Sequence, residues 1–244
     1  MIGLGAGSMI VGAMPVASVF DPASLALSGW WRANYTNPGP WNGVASAGAS
    51  SGRDLSEATN PPATGTAQNG LTPADFDGSN DELSIATGVS SFFSASAWTI
   101  VVLFRADSTV AATGDLYECE SFLADDGASA TIGMGITDSG VQVWHYGGGA
   151  WPGLTIAAGT GAYHLAQAKY DGTNIKMRID SGSYSSQAAS NASLSSNLRV
   201  GMSWNGSKFY DGRLTEIMLA QSALSDADLD NIKSYLNARY ALAL

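Results

Sequence analysis

The segment DLYECE, residues 115–120, places three carboxylates and the chain's single cysteine within six residues. In a strand, Glu118 and Glu120 share a face, as the paired acid and nucleophile of a glycan hydrolase do, while Asp115 points to the other face. Cys119 lies between two carboxylates, whose charge opposes a nucleophilic thiolate. We therefore interpret these residues as exposed carboxylates on an edge strand or loop. We predict no catalytic residue and no enzymatic activity.

Two groups of carboxylates could supply oxygen ligands to a calcium ion. Calcium takes six to eight oxygens, and loops of this kind provide some of them. The Asp-Gly and Asn-Asp pairs within them are also ordinary turn residues. We therefore predict a protein without a cofactor and keep calcium as the alternative. The two groups are Asp75, Asp77, Asp81 and Glu82, and Glu118, Glu120, Asp125 and Asp126.

Aromatic side chains surround the glycine-rich stretch GGGA, residues 147–150. Aromatic faces beside glycines offer a sugar ring an apolar surface with polar edges nearby. We predict Trp144, Tyr146 and Trp151 as candidate glycan-binding residues. The alternative is that strand alternation buries either Trp144 or His145, and that Trp151 covers an edge of a sandwich.

The charge of the chain excludes two classes of partner. The net charge is −10, and residues 1–168 hold three basic residues against fourteen acidic ones. No Lys or Arg lies between Asp107 and His164. Phosphate backbones and anionic lipid surfaces both require clustered cations. We therefore predict neither a nucleic-acid partner nor a membrane partner.

The first 19 residues form an apolar segment without charge. A secretory signal has a positive region at its start, but the first basic residue here is Arg32. Glycines and Pro15 interrupt the run, which is too short for a convincing membrane span. We predict an N-terminal arm, residues 1–19, that docks on its own domain or on a neighbouring subunit. Its candidate contact residues are Met1, Ile2, Leu4, Met9, Ile10, Val11, Met14 and Val16.

Short alternating runs separated by Gly, Asp, Asn and Ser recur through the first 220 residues, which is typical of β-strands. Residues 98–104 read as a strand covered on both faces. In the clearest hairpin, residues 163–182, the turn is 171–174. Its second arm directs Ile175, Met177 and Ile179 inward and Lys176, Arg178 and Asp180 to water.

A helix is predicted over residues 225–240, with Ser225 as its N-cap and acidic residues in its first turn.

Trp30 and Trp31 are adjacent, so they point in opposite directions in a strand, and we expect one of them in the core. His145 and His164 lie in predicted strands and are interpreted as structural residues.

Five segments, in this order, resemble motifs of the concanavalin A-like, laminin G-like jelly-roll domains in their bacterial and phage branch. The resemblance implies an antiparallel two-sheet sandwich over residues 20–244, with the C-terminal helix included. Hydrolases related to this family carry E-x-D-x-x-E on one strand, which DLYECE does not match. The segments are FDPASLALSGWWRANY (20–35), ADFDGSNDELSI (74–85), ASAWTIVVLFRAD (95–107), YHLAQAKYDGTNIKMRIDSG (163–182) and YDGRLTEIMLAQSALSDADLDNIKSYLNARYAL (210–242).

The fold does not choose among sugar binding, adhesion and structural roles. From the arm and the acidic composition we predict a non-enzymatic structural protein on the surface of a phage virion, made in the host cytoplasm without a signal peptide. It would be a head decoration or a tail or spike component that also aids host-surface adhesion. Its partners would be other virion proteins or its own copies, bound through the arm, and surface glycans. The alternative is a free bacterial carbohydrate-binding lectin.

Overall fold

A computed structural model describes residues 20–37, 39–46, 53–56, 60–115, 117–125, 131–194 and 197–244. The predicted arm, residues 1–19, lies outside these described residues. The described residues form fourteen β-strands and one α-helix. The strands are β1 (Leu27–Arg32), β2 (Ala63–Thr64), β3 (Ala74–Asp77), β4 (Leu83–Gly88), β5 (Trp98–Ala106), β6 (Glu120–Asp125), β7 (Ile132–Thr137), β8 (Gly140–His145), β9 (Gly153–Ile156), β10 (His164–Tyr170), β11 (Asn174–Ile179), β12 (Ser185–Ala188), β13 (Asn197–Val200) and β14 (Asp211–Ala220), and the helix is α1 (Asp226–Tyr240).

The strands form two antiparallel sheets. The larger sheet has the order β12-β11-β10-β5-β14-β3-β2, with β1 also paired to β14, and the smaller has the order β4-β13-β6-β7-β8-β9. The main core lies between them, where Trp98, Phe104, Phe122 and Val143 are fully buried. This confirms the predicted all-β antiparallel sandwich with a C-terminal helix.

Strand β14 joins parts of the larger sheet that are distant in sequence. It pairs with β5 along one side. Along the other side, residues 211–214 pair with β3 and residues 216–220 pair with β1. The register of the β14–β5 pair shifts between Leu214 and Glu216.

Helix α1 begins after Ser225, whose side chain accepts a hydrogen bond from the backbone N–H of Asp228 at 3.1 Å. The side chains of Leu229, Ile232 and Leu236 are fully buried. They pack on the outer face of the larger sheet and form a second core there. The predicted helix and its N-cap are confirmed.

The helix explains a wrong prediction in the hairpin of β10 and β11. Ile175 and Met177 are buried as predicted, but Arg178 is only 8% exposed instead of facing water. Its guanidinium donates to Gln167 Oε1 at 2.7 Å and to Asp230 of α1 at 2.6 Å. The sequence pattern of one hairpin does not show that α1 covers its polar face.

Asp180 also differs from the prediction. Its Oδ1 accepts the backbone N–H of Leu165 at 2.7 Å, and its Oδ2 lies 2.8 Å from His164 Nδ1. Trp30 and Trp31 do point in opposite directions, but both are buried rather than one. Trp31 lies in the main core and Trp30 lies under α1.

A buried carboxylate joins α1 to the larger sheet. Glu216 of β14 is 1% exposed, and Trp30 Nε1 donates to its Oε1 at 2.7 Å. The Tyr240 hydroxyl donates to its Oε2 at 2.6 Å, and Arg239 Nε lies 3.8 Å from the same oxygen. Burial raises the pKa of Glu216 to about 7, although these donors and the arginine lower it.

Candidate functional site

Four aromatic side chains lie side by side at the surface beside the smaller sheet, and we call them the aromatic band: Tyr146, Trp151, Tyr117 and Trp204. The ring centroids of Tyr146 and Trp151 are 4.6 Å apart, and those of Tyr117 and Trp151 are 5.5 Å apart. Tyr117 and Trp204 meet edge to face at 6.0 Å. Trp151 is 40% exposed, and among the described residues it is the one exposed large hydrophobic side chain. The band therefore leaves part of the Trp151 side chain open to solvent and to a ligand.

The turn between β8 and β9 positions Trp151. Gly147 and Ala150 exchange two backbone hydrogen bonds, of 2.9 and 3.1 Å. The two residues between them, Gly148 and Gly149, have φ of +61° and +83°. A two-residue turn with positive φ at both positions favours glycine at each. The glycines thus close the hairpin tightly and leave Trp151 at its rim.

A cleft of about 500 Å³ opens beside this turn. Its other wall is the end of β12 and the residues that follow it, 187–190. The volume lies within the usual range for small-molecule sites, about 300–1,000 Å³. The lining residues are Gly147, Gly148, Ala150, Trp151, Pro152, Gln187, Ala188, Ala189 and Ser190.

Buried side chains hold the second wall in place. His145 Nε2 lies 2.7 Å from the carbonyl oxygen of Ser190, and Trp98 Nε1 donates to His145 Nδ1 at 3.2 Å. The Tyr170 hydroxyl donates to the carbonyl oxygen of Ala189 at 3.2 Å. Burial lowers the pKa of His145, although its bond to Ser190 raises it. His145 is therefore a neutral structural residue that donates from Nε2 to Ser190.

Trp144 does not belong to the exposed site, and its prediction as a glycan contact is wrong. It is fully buried and packs with Cys119 and Ala124, with Tyr117 packed against the group. Alternation directs Trp144 to the outer face of the smaller sheet, but Tyr117 packs over it there. A Cβ added at Gly133 would lie 2.4 Å from the Trp144 ring, so this glycine leaves room for the indole. Trp144 lies beneath the aromatic band.

The structure brings Tyr146 and Trp151 together as the sequence predicted. Tyr117 and Trp204 were missed, because one precedes β6 and the other follows β13, and neither lies near the glycine turn in sequence. The alternation of either segment gives no signal that its aromatic residue reaches Trp151.

The acidic segment near Cys119 is more buried than the sequence predicts. Glu120 was predicted to be an exposed carboxylate, but it is only 3% exposed. Glu118 is partly buried, and Asp115 is exposed. Burial and then the charge of Asp211 raise the pKa of Glu120 to about 7, while Lys208 lowers it. Burial also raises the pKa of the Cys119 thiol to about 12, so it carries no thiolate near neutral pH.

In the first group of candidate calcium ligands, some carboxylate oxygens already accept hydrogen bonds from backbone N–H groups of the β3–β4 turn. Asp77 Oδ1 accepts the backbone N–H of Ser79 at 2.8 Å, and Asp81 Oδ2 accepts that of Asp77 at 2.9 Å. Burial raises the pKa of Asp81 to about 6. Within the described ranges, no group of three His, Cys, Asp or Glu residues could hold a metal ion. Asp126 lies outside those ranges, and calcium stays a prediction.

A second cleft, of about 540 Å³, lies against α1. We call it the helix groove. Phe20, Leu71 and Tyr235 give it an apolar lining, and Arg239 also lines it. Phe20 is the residue that follows the predicted arm. The eight candidate contact residues of that arm, Met1 to Val16, lie outside the described residues, so the structure does not test them. In the part of the chain that the structure describes, no helix is long and apolar enough to span a bilayer.

Comparison with known proteins supports the fold. No protein-family model matches the sequence, and no curated protein matches it significantly. Among solved structures, the chain is similar to the binding domain of botulinum neurotoxin serotype G, with a TM-score of 0.64 and 8% identity over 87% of this chain and 51% of that one. It is also similar to botulinum neurotoxin type C, whose cell entry depends on interaction with two ganglioside molecules, with a TM-score of 0.61 and 6% identity over 85% and 51% of the chains.

A third similar structure is domain 4 of AbnA, an extracellular arabinanase from Geobacillus stearothermophilus, in complex with arabinotriose. Its TM-score is 0.51, with 12% identity over 76% of this chain and 84% of that one. The chain spans about half the length, 51%, of the toxin binding domains that it matches. At these identities the similarity shows a common β-sandwich fold and nothing further.

Proposed function

We propose that this chain is a non-catalytic, lectin-like domain that binds a glycan on the aromatic band and in the cleft beside it. The observation that carries the proposal is the position of Trp151. Its ring is 40% exposed, is supported by Tyr146 and Tyr117, and borders a cleft of about 500 Å³. An exposed aromatic face beside polar groups suits a sugar ring, which has an apolar face and hydroxyl groups at its edge.

Two further observations support a binding role without catalysis. Glu120 is buried and not open to a substrate, and the Cys119 thiol is buried and protonated. Similar folds are known from a toxin that depends on gangliosides and from a domain in complex with arabinotriose. A sugar ligand for this chain agrees with both.

The substitution Trp151→Ala tests the proposal. A tryptophan presents up to about 250 Å² of surface, so 40% exposure leaves about 100 Å² for a ligand. A sugar ring that covers half to all of this area gains about 1.2–2.5 kcal/mol at about 25 cal/mol per Å². We therefore expect a roughly 10- to 70-fold loss of affinity for any glycan that the wild-type chain binds.

Binding is measured by titration calorimetry with a glycan first identified on an array. Trp151→Phe keeps a ring at the site and should retain most of the affinity. Tyr163→Ala is the matched control, because Tyr163 packs with the helix-side core and not with the band. Equal binding by the wild type and Trp151→Ala would contradict the proposal.

A second candidate function rests on the helix groove. We propose that the arm, residues 1–19 of one copy, docks in the helix groove of a neighbouring copy, beside Phe20 and Tyr235. The proposal has two further parts. The domain belongs to the bacterial and phage branch of jelly-roll domains, and it is displayed on a virion surface as a head decoration or as a tail or spike component. The apolar character of the arm and of the groove supports it.

Light scattering on the full chain tests the docking. The double substitution Met9→Asp and Ile10→Asp should convert an oligomer to a monomer without changing the thermal unfolding of the domain. A wild-type chain that is already a monomer would contradict it.

Quantitative mass spectrometry of purified particles tests the virion placement. Hundreds of copies indicate a head decoration and a handful indicate a tail or spike, while absence from the particles contradicts the placement.

A further inference from the structure

The described residues that line the cleft carry no ionic charge. Of its nine residues, Gln187 and Ser190 have polar side chains and the others are glycine, alanine, proline and tryptophan. Carboxylate, sulfate and phosphate groups are bound in proteins by Arg or Lys, or by several converging N–H donors. A sugar that carries an anionic group would therefore lose water here without gaining a cation.

The cation closest to this wall in the sheet points away from it. Lys176 of β11 pairs in register with Ser186, and its neighbour Ile175 pairs with Gln187. Side chains alternate between faces along a strand, so Gln187 shares the inward face of Ile175 and Lys176 lies on the opposite face. Lys176 also forms an ion pair with Asp171, at 2.9 Å. It is therefore not available to an anion in the cleft.

Two carboxylates act on Tyr117 of the aromatic band. Burial raises the pKa of Tyr117, and the charges of Asp115 and Glu118 raise it further. Lys208 is the cation closest in sequence to Trp204, and its charge acts on Glu120. At the Tyr117 end of the band, Asp115 and Glu118 therefore repel an anionic ligand.

We infer that the cleft and the aromatic band select uncharged sugars, and that they reject sialic acids, uronic acids and sulfated sugars. This inference rests on the proposed glycan-binding function and specifies its ligand class. The apolar face of a neutral sugar ring stacks on Trp151, and its hydroxyl groups bond to the carboxamide of Gln187 and the hydroxyl of Ser190. The ion pairs that would hold a sialylated ganglioside have no counterpart among the described lining residues.

The test uses the full 244-residue chain on an array that pairs neutral oligosaccharides with their acidic counterparts. One pair consists of oligogalacturonides as free acids and as methyl esters, which share the same sugar backbone and differ mainly in charge. Neutral arabinotriose and lactose, and sialyllactose, extend the series. We expect the neutral member of each bound pair to bind at least about tenfold more tightly. That binding should be insensitive to salt, since no ion pair contributes.

The variant Gln187→Arg is designed to shift the preference of the cleft from neutral to acidic sugars. A guanidinium at this wall should raise affinity for the free-acid oligogalacturonide about tenfold, and Gln187→Ala is its uncharged control. Preferential binding of acidic glycans by the wild type, lost in Trp151→Ala, would overturn the inference while leaving the proposed function intact. A chain that binds no glycan on the array would overturn both.

Discussion

The buried carboxylate of Glu216 should make the protein less stable as the pH rises through the weakly acidic range. The ordinary pKa of a glutamate is 4.5, and burial raises that of Glu216 to about 7 in the folded protein. Below pH 4.5 the group is uncharged in both states. Between pH 4.5 and 7 the unfolded chain ionises first and is favoured. Each unit of difference is worth about 1.4 kcal/mol, so the folded state loses about 3 kcal/mol across this range.

The substitution Glu216→Gln isolates this effect. An amide at this position still accepts from Trp30 Nε1 and donates to the Tyr240 hydroxyl, but it does not titrate. The pKa values of Glu120 and Asp81 are raised to about 7 and about 6. Their ionisation lowers the free energy of unfolding over the same pH range, and it does so equally in both proteins. The difference between the two proteins therefore reports Glu216 alone.

Urea unfolding at pH 4.5 and pH 8 measures the effect. We expect the wild type to lose about 3 kcal/mol more than Glu216→Gln between the two pH values. Tyr240→Phe removes one donor to the carboxylate, so it should raise the pKa of Glu216 further and move the transition to higher pH. Parallel pH profiles for wild type and Glu216→Gln would refute the reasoning, as would a midpoint near pH 4.5 in an NMR titration of the carboxyl carbon.

Two further predictions concern the layer beneath the aromatic band. Gly133→Ala should lower the free energy of unfolding by about 1–3 kcal/mol, because the new methyl group meets the Trp144 ring at 2.4 Å. Gly159→Ala, where a Cβ meets nothing within 4 Å, should leave urea unfolding unchanged, and equal effects of the two would argue against this packing. Cys119, buried and with its pKa raised to about 12, should react with a thiol reagent at pH 8 only after unfolding. Labelling of the native protein at the rate of a free thiol would contradict its burial.

The sequence predicts those elements whose signals are local. In β11, Ile175 and Met177 alternate with polar residues and are buried as expected. Ser225 and Asp228 mark the start of α1 through a contact three residues apart. Such patterns depend on the chain's own geometry, which a short segment contains in full.

The sequence fails where a second layer covers a face that alternation assigns to solvent. Arg178 lies under α1, and Trp144 lies under Tyr117. The same reason applies to the candidate site, of which Tyr146 and Trp151 were predicted. The contact between Tyr117 and Trp151 joins residues 34 positions apart in the chain, and it depends on how one segment folds over a sheet.

The place of β14 in the larger sheet determines when the protein can fold during its synthesis. Strands β1, β3 and β5 all leave the ribosome before their shared partner, residues 211–220, has been made. The helix that builds the second core follows later still. Pairings over such distances form slowly, and strands awaiting a partner are prone to aggregate. A chain that terminates before Asp211 would leave three strands without the partner that joins them, so premature termination should give insoluble fragments and not a smaller working domain.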